Sequence, residues 1–339
     1  MSVLPDVPQK NLVEVLAQRQ GLLLGLLSIL VAIAFGLSLM LGPEGFGLPG
    51  GPGMAQLVLL EIRLPRAILG LLVGGALGLT GAALQGYLRN PLAEPGLLGM
   101  AGGASLGAVI SIHTGLAALV PLALPLGGLA GAIVATLAVV LLAGQRSSPV
   151  TLILAGVALS SVAGALTSLV LNLAPNPFAS VEMLYWMMGS LSDRSLEHVW
   201  IAAPLIIAGC AILLTTARGL DALTLGEVAA VNLGIELGSM RSRIVLGAAL
   251  AVGAATAVTG AIGFVGLVVP HLLRPLVAHE PGRLLLPSAL GGGVLVLAAD
   301  VGLRLISPAG DLKLGVVTAL IGAPFFLWLV LATRRELQA

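Results

Sequence analysis

Residues 21–41 read GLLLGLLSILVAIAFGLSLML and contain no charged side chain. Because about 20 apolar residues of helix cross the hydrocarbon core of a bilayer, this stretch predicts a membrane-spanning helix. Residues 1–20 before it carry four charged side chains, from Asp6 to Arg19, and are too polar for the apolar core of a signal peptide. We therefore expect a retained first span that follows a short cytoplasmic segment, not a cleaved leader.

The composition of the whole chain agrees with a membrane protein. Hydrophobic residues make up 58% of the 339 residues and charged residues only 9%, with a mean hydropathy of +1.10. Soluble domains average about 25% charged residues, so this composition excludes a secreted globule, a disordered chain and a nucleic-acid binder. The net charge of +1 provides no global field for an anionic partner. The single cysteine, Cys210, permits neither an internal disulfide nor a thiolate metal cluster.

Nine further apolar runs follow the first, separated by charges and prolines. Each run is continuous, whereas strands of a membrane β-barrel alternate between apolar and polar residues. The sequence therefore predicts an all-α polytopic membrane protein with about ten transmembrane helices, in a single domain of residues 1–339. The predicted spans are 21–41, 65–88, 96–112, 116–143, 150–172, 200–217, 244–262, 265–278, 284–303 and 314–332.

Lysine and arginine are distributed unequally between the two sides of this ten-span arrangement. With a cytoplasmic N-terminus, 11 of the 16 lie inside, as expected because cytoplasmic loops carry the excess of positive charge. We therefore expect both termini in the cytoplasm, the loop 173–199 outside and the segment 218–243 inside. The outside cations are Arg63, Arg66, Arg194, Arg304 and Lys313.

The sequence contains none of the patterns that would let this chain hydrolyse ATP or hold a metal. Neither of its lysines, Lys10 and Lys313, belongs to a phosphate-binding loop G-x-x-x-x-G-K-[ST]. The four histidines have no neighbouring zinc ligands. The acidic residues lie in loops or near the ends of predicted spans, which argues against proton coupling. We expect no catalytic residue, no metal site and no cofactor in this chain, so any energy source belongs to another subunit.

Segment 218–243 combines apolar residues at helical spacing with glycines that break helices. Between Gly219 and Gly234, apolar residues recur at helical spacing: Ala222, Leu225, Val228 and Ala229. The pattern predicts a short amphipathic helix or a pair of helices on the cytoplasmic face. Such a helix could lie on the lipid surface or dock a cytoplasmic subunit.

Three of the outside arginines flank the ends of predicted spans. Arg63 and Arg66 belong to the sequence R-L-P-R at the start of the second span, and Arg304 follows the ninth. They are compatible with ordinary snorkelling at the membrane interface or with a surface for an anionic partner. Arg304 also lies four residues after Asp300, a spacing that allows an ion pair within one helix.

Glycine is abundant, at 46 residues, and many glycines recur every four positions. Small residues at this spacing let helix backbones approach closely in a membrane. We therefore expect these glycines to mark helix–helix contacts. The clearest series are Gly70/Gly74/Gly78, Gly99/Gly103/Gly107 and Gly127/Gly131.

Several stretches, in the same order along the chain, resemble the signatures of the iron-chelate uptake ABC permeases, the FecCD/BtuC-like family that also includes cobalamin and haem permeases. The resemblance covers essentially residues 20–335. The stretches are R-L-P-R at 63–66, T-G-A-A-L-Q-G-Y-L-R-N-P-L-A-E-P-G-L-L-G at 80–99, L-G-E at 225–227 with N-L-G-I at 232–235, G-A-I-G-F-V-G-L-V-V-P-H-L-L-R at 260–274, and L-G-V-V-T-A-L-I-G-A-P-F-F at 314–326.

The resemblance implies a type II ABC importer permease fold with ten spans, which works as a homodimer in the bacterial inner membrane. Two cytoplasmic ABC ATPase subunits, which bind ATP and Mg, and a periplasmic substrate-binding protein complete such an importer. The cargo implied is a metal chelate: a ferric siderophore, haem or cobalamin. The residues of this chain do not decide among these chelates. An ion-coupled secondary carrier, or a channel without an ATPase partner, is the alternative function.

The resemblance also implies roles for individual residues. Docking of the binding protein is expected at Arg63, Arg66 and Arg304, with Lys313 as a further outside cation. Coupling to the ATPase is expected at Asp221, Leu223, Leu225, Gly226, Glu227, Ala230, Leu233 and Gly234. The cytoplasmic gate is expected at Ser147, Ser148, Pro149, Val150 and Thr151, where Pro149 and Val150 replace the small hydroxyl residues common in the family. Hydroxyl side chains of the same span, Ser160, Ser161, Thr167 and Ser168, are expected to line the pathway.

Overall fold

The computed structural model describes residues 9–42, 45–47, 51–120, 122–144, 149–307 and 312–336. The described chain is almost entirely helical, and its helices are connected by short loops. Its long helices are α1 (Gln9–Met40), α3 (Leu64–Tyr87), α4 (Met100–His113), α6 (Ala123–Ala143), α7 (Pro149–Asn172), α9 (Leu196–Leu214), α12 (Leu237–Thr259), α14 (Pro281–Ile306) and α15 (Leu314–Glu336). The shorter helices are α2 (Pro52–Leu57), α5 (Leu116–Leu119), α8 (Pro177–Met187), α10 (Ala217–Leu223), α11 (Glu227–Asn232) and α13 (Val265–Leu273).

Four small elements complete the chain. Two strands of two residues each, β1 (Leu41–Gly42) and β2 (Gly45–Phe46), pair in antiparallel register. A π-helical turn (Val58–Arg63) joins α2 to α3 without interruption. Two 3-10 turns, Pro95–Leu98 and Arg274–Val277, precede α4 and follow α13.

The predicted all-α membrane architecture is confirmed. Within the described residues, 8 helices are long and apolar enough to cross a membrane, and two shorter apolar helices, Met100–His113 and Val265–Val277, fall on the two remaining predicted spans. The second span is longer than predicted, because α2, the π-helical turn and α3 form one continuous element, Gly53–Tyr87.

One predicted span, 116–143, is wrong as a single helix. α5 ends at Leu119 and α6 begins at Ala123. Pro125 lies in the first turn of α6, where the missing backbone N–H of proline costs no hydrogen bond. The apolar run continues across the break, so hydrophobicity alone did not reveal it.

The loop predicted at 173–199 contains a helix, α8. Asn176 caps it, because its side-chain oxygen accepts the N–H of Ala179 at 2.9 Å, and Pro177 occupies the first helical position. Met183 and Trp186 on its inner face are 0% and 8% exposed and pack on the end of α4. A cap followed by proline was the sequence signal for this helix.

Glycine series make the closest helix contacts, as predicted. On α3 and α14, a Cβ added to Gly78 would collide with the carbonyl oxygen of Ser288, and one on Gly74 with that of Gly292. The glycines of α4 and α6 pack in the same way: Gly103 against Gly131, and Gly107 against Gly127. Only glycine permits these backbone contacts, which hold the helices at close distance.

Candidate functional site

A buried carboxylate, Asp300 on α14, joins two of the arginines that the sequence predicts to lie outside. Arg66 on α3 donates through Nε to both carboxylate oxygens at 3.0 Å and through Nη2 to Oδ1 at 2.7 Å. Arg304, one turn further along α14, places Nη2 2.9 Å from Oδ2. Asp300 is only 1% exposed, so its charge depends on these partners. The predicted pair of Asp300 and Arg304 is confirmed, and Arg66 is a third member that the spacing did not reveal.

Arg304 also binds the C-terminal end of α1. Its Nη1 donates to the carbonyl oxygens of Ser38 and Leu41 at 3.0 and 2.8 Å, and its Nη2 donates to Ser38 Oγ at 2.7 Å. The last carbonyls of a helix have no partner within the helix, and basic side chains can supply the missing donors. Arg304 therefore ties α1 to α14.

Arg63 binds the same end of α1 from another direction. Its Nη1 lies within hydrogen-bonding distance of the carbonyl oxygens of Leu39 (2.9 Å), Met40 (3.1 Å) and Gly47 (2.8 Å). A Cβ at Gly42 would collide with the Arg63 guanidinium, so a larger residue there would displace this side chain from its hydrogen bonds. Arg63 is buried as deeply as Arg304.

The three arginines predicted to dock a binding protein are therefore engaged within the chain. Together with Asp300 they hold α1, α3 and α14 at one end of the bundle. An incoming carboxylate would compete with these internal acceptors. Their role in docking stays a prediction, whereas their role in the fold follows from the hydrogen bonds.

The other two cations predicted to lie outside, Arg194 and Lys313, line one cavity of about 440 Å³ beside α8. Lys313 Nζ lies 5.2 Å from the centroid of the Tyr185 ring, which is a cation–π geometry. Arg194 Nε is buried without a hydrogen-bond partner. Burial lowers the pKa of the Arg194 guanidinium, and the neighbouring Asp193 opposes this shift. Within the described part of the chain, neither cation belongs to an ion pair.

The predicted helix pair in segment 218–243 is present as α10 and α11, and its inner side is anchored in the bundle. Leu223 is 3% exposed and Ala230 is 0% exposed. Asp221 Oδ1 accepts the backbone N–H of Gly282 at 2.7 Å, at the start of α14. These contacts fix the pair to the bundle, so it does not lie loosely on a surface.

The outer side of the same pair is apolar and uncovered. Leu225 is 69% exposed, Val228 78% and Leu233 63%, and Val231 continues this surface. Leu225 and Leu233 are among the residues predicted to couple to the ATPase, and Val228 lies between them on the same surface. Exposed apolar side chains grouped in this way mark an interaction surface.

Two glycines and one ion pair shape the helix pair. Gly226 and Gly234 adopt φ values of +96° and +83°, which glycine adopts far more easily than other residues. Gly226 immediately precedes α11, and Gly234 lies two residues after its end. Glu227 Oε1 lies 3.6 Å from Arg89 Nη2, with both side chains about half exposed, so the pair contributes little stability.

The predicted gate lies at the beginning of α7. Ser147 and Ser148 lie outside the described residues, and Pro149 is the first residue of the helix. Val150 is 63% exposed and Thr151 is also exposed. The gate assignment stays a prediction.

The four hydroxyl residues predicted to line the pathway face two ways on α7. Ser161 and Ser168 are exposed, and each donates its hydroxyl to the carbonyl four residues earlier at 3.0 Å. Thr167 is 4% exposed, and Ser160 packs toward Gly99 at the start of α4. Only Ser161 and Ser168 therefore belong to the open face.

Glu94, which the sequence analysis did not select, connects two of the matching motifs. Its carboxylate accepts the backbone N–H of Phe264, and burial raises the pKa of this carboxyl while the hydrogen bond opposes the shift. Phe264 has a φ of +65° at the start of α13. Gln85 Nε2 lies near the carbonyl oxygens of Gly266 and Leu267, at 3.3 and 3.4 Å. The stretches 80–99 and 260–274 thus form one packed unit.

Comparisons with known proteins follow these observations. The model of the FecCD transport family matches residues 22–332. Curated relatives include the Vitamin B12 import system permease protein BtuC of Salmonella paratyphi A, Salmonella newport and Salmonella typhi. Each is 40% identical to this chain over 315 residues, which cover 91% of this chain and 94% of the relative.

Solved structures share the fold. One is an inward-facing conformation of a transporter assigned to the metal-chelate type of ABC transporter. It superposes with a TM-score of 0.83 and 30% sequence identity, over 91% of this chain and 98% of that chain. A chain of PsaBC from Streptococcus pneumoniae in complex with Fab superposes with a TM-score of 0.51 and 17% identity, over 78% of this chain and 89% of that chain. The second likeness concerns the fold alone.

Proposed function

Because the chain belongs to the FecCD transport family, we propose that it carries a metal chelate across the inner membrane. It is the permease subunit of a type II ABC importer, as its B12-importing relatives and the metal-chelate transporter of the same fold indicate. The structural observation that carries the proposal is the helix pair α10–α11, which is anchored on one side and apolar on the other. Cobalamin is the first candidate cargo because of the relatives, and a ferric siderophore and haem are the others.

A cytoplasmic ABC ATPase subunit is the proposed partner of the helix pair. The exposed Leu225, Val228 and Leu233 offer an apolar surface, and an amphipathic helix that enters a groove is a common mode of docking. A displacement of the pair would pass to α14 through the hydrogen bond between Asp221 and Gly282. ATP and Mg belong to this partner in the proposal.

A periplasmic substrate-binding protein is the proposed partner at the opposite end. Arg63, Arg66 and Arg304 shape that end by holding three helices together. Arg194 and Lys313 line one cavity and form no ion pair with the residues that the structure describes. Carboxylates of the binding protein would meet this end of the permease.

A second copy of the chain is the proposed partner for the open faces of α7 and α15. Ser161 and Ser168 on α7 are exposed, as are Leu320 and Leu327 on α15. The hydroxyls of Ser161 and Ser168 each donate within their own helix, so these two residues offer no free hydroxyl donor to a passing chelate. A pathway between two copies, gated near 147–151, would let a large cargo slide without tight binding.

The proposed orientation places both termini in the cytoplasm of a multi-pass inner-membrane protein. Eight long helices and two short apolar helices among the described residues support an even number of crossings. The excess of lysine and arginine on the side of segment 218–243 supports the same orientation.

Purification of the tagged full chain from its native membrane in mild detergent tests the ATPase partnership. We expect an ABC ATPase to co-purify and the complex to hydrolyse MgATP. An ion-coupled carrier or a channel is the alternative, and a chain that purifies without any ATP-hydrolysing subunit would favour it. A Val228→Asp chain, purified in parallel, reports whether α11 makes the contact.

A further inference from the structure

A basic cavity lies beside the helix pair, among the ends of α3, α10 and α14. Its volume is about 290 Å³. Its polar lining consists of Gln85, Arg89, Thr224, Arg274 and His279, and its apolar lining of Ala82, Gly86, Pro281 and Leu284. None of these described residues is acidic, so the cavity combines two arginines and a histidine without a compensating carboxylate in its wall.

Arg274 is held in place by Gln85, whose amide group hydrogen-bonds on both sides. Its Nη2 donates to Gln85 Oε1 at 2.5 Å, while Gln85 Nε2 faces the carbonyl oxygens of Ala93 and Gly266 at 3.3 Å. A guanidinium has five N–H donors, and this hydrogen bond uses one of them. Most of the donors of Arg274 therefore remain available at the cavity.

Arg89 and His279, which line the cavity, have positive φ values, which are uncommon for residues other than glycine. Their φ values are +49° and +62°, and that of the neighbouring Ala278 is +53°. Such conformations cost on the order of 1 kcal/mol or more for residues other than glycine, and they concentrate at functional sites. The backbone N–H of His279 donates to the carbonyl oxygen of Arg274 at 3.1 Å, which keeps these two side chains at one site.

The nearby carboxylates do not neutralise the cavity. Asp221 accepts the N–H of Gly282 at 2.7 Å, and Glu280 pairs with Arg283 at 2.7 Å. Glu227 approaches Arg89 only to 3.6 Å, from a half-exposed position. Among the described residues Arg274 forms no ion pair and Arg89 forms only this long, half-exposed one, so an anion that enters the cavity would still meet positive charge.

We propose that this cavity binds a phosphate group, and that the phosphate belongs to the headgroup of an anionic phospholipid. Guanidinium groups match the geometry of phosphate oxygens, and the Thr224 hydroxyl and a His279 ring N–H can add donors. Basic cavities at the cytoplasmic ends of transmembrane helices are suited to lipid headgroups. Ala82 and Leu284 form part of the apolar side of the cavity. The cytoplasmic location of the site depends on the proposed orientation, whereas the binding of a lipid does not depend on the proposed transport function.

Native mass spectrometry of the full chain measures the bound lipid directly. For this measurement the protein is extracted from nanodiscs of phosphatidylcholine with or without phosphatidylglycerol. In a second measurement, thermal unfolding of the protein in detergent is followed with added inorganic phosphate. We expect one phosphatidylglycerol to be retained per chain. We expect Arg274→Gln to weaken this retention at least about tenfold, the effect of losing a hydrogen bond to a charged group. Arg89→Gln, at a half-exposed side chain, serves as a second variant should Arg274→Gln fail to fold.

Arg283→Gln is the matched control, because it removes one arginine at the same end of the bundle but outside the cavity. It should retain the lipid as the unmodified chain does. Stabilisation by inorganic phosphate without lipid retention would overturn the lipid as the source. Retention that is equal in Arg89→Gln, Arg274→Gln and the control, or absent in all, would overturn the site. Neither measurement uses an ATPase, so failure here is distinct from failure of the proposed function.

Discussion

Arg66 holds both carboxylate oxygens of Asp300, although the two residues lie 234 positions apart in the sequence. The contact joins α3 to α14 nearer the N-terminal end of α3 than the glycine contacts of the same two helices. Arg304 shares the carboxylate and carries the connection on to α1. This end of the bundle, which we propose to face outward, is therefore fixed by one buried acid with two cations.

Replacing Arg66 by alanine should destabilise the chain by about 3 kcal/mol, because breaking a buried ion pair leaves a carboxylate without a main partner. The free energy of unfolding in detergent, measured with increasing denaturant, checks this. Arg283→Ala is the control, since its pair with Glu280 is about one-third exposed and is worth about 1 kcal/mol or less. Equal losses in the two variants would show that the contact between Arg66 and Asp300 does not stabilise the bundle.

Gly78→Ala should destabilise the packing of α3 on α14 by about 1–3 kcal/mol, since the new methyl group would collide with the Ser288 carbonyl. Gly25→Ala in α1 is the matched control, because no atom lies within 4 Å of the added Cβ. Alanine favours helix over glycine, so this control should be neutral or stabilised by up to about 1 kcal/mol. Thermal unfolding of the two variants side by side makes the comparison. Similar midpoints would mean that the close approach is not needed.

Val228→Asp should weaken ATPase binding at least about tenfold, because a charge would enter the centre of an apolar contact. The dissociation constant of the detergent-solubilised complex measures this. Leu119→Asp changes an equally exposed apolar residue, 80% exposed, at the end of α5, and should leave the affinity unchanged. A loss of the same size in both variants would point to a general effect of charge rather than to docking at α11.

Lys313→Glu should reduce the stimulation of ATP hydrolysis by the binding protein several-fold while leaving hydrolysis without that protein unchanged, since the reversed charge repels incoming carboxylates. Stimulation in the unmodified complex should also fall more steeply with salt than in the variant, because salt screens exposed charges. Unchanged stimulation at low salt would remove the Lys313 cavity from the docking surface.

Hydrophobicity was sufficient to predict most of the helices. The spans at 150–172, 284–303 and 314–332 were found within a few residues, because each is a continuous apolar run between charges. Helix α8 was missed since its burial depends on Met183 and Trp186, which contact α4. The break before Ala123 was missed because the run remains apolar across it.

The candidate sites were predictable only where the sequence itself carries the pattern. The glycines around α11 and the spacing of Asp300 and Arg304 indicated local structure correctly. The partners of Arg63 could not be predicted, because they are backbone carbonyls at the end of another helix. The basic cavity could not be predicted either, because only the packing of distant segments brings Arg89 and Arg274 together.

The most direct test of the central claim is uptake of labelled cargo into proteoliposomes that contain the permease, its ATPase and the binding protein. Cobalamin, a ferric siderophore and haem are supplied separately with the binding protein, and MgATP is supplied on the ATPase side. We predict uptake of one chelate that requires MgATP and persists when ion gradients are collapsed. Uptake by the permease alone, driven by an ion gradient without ATP, would contradict the account.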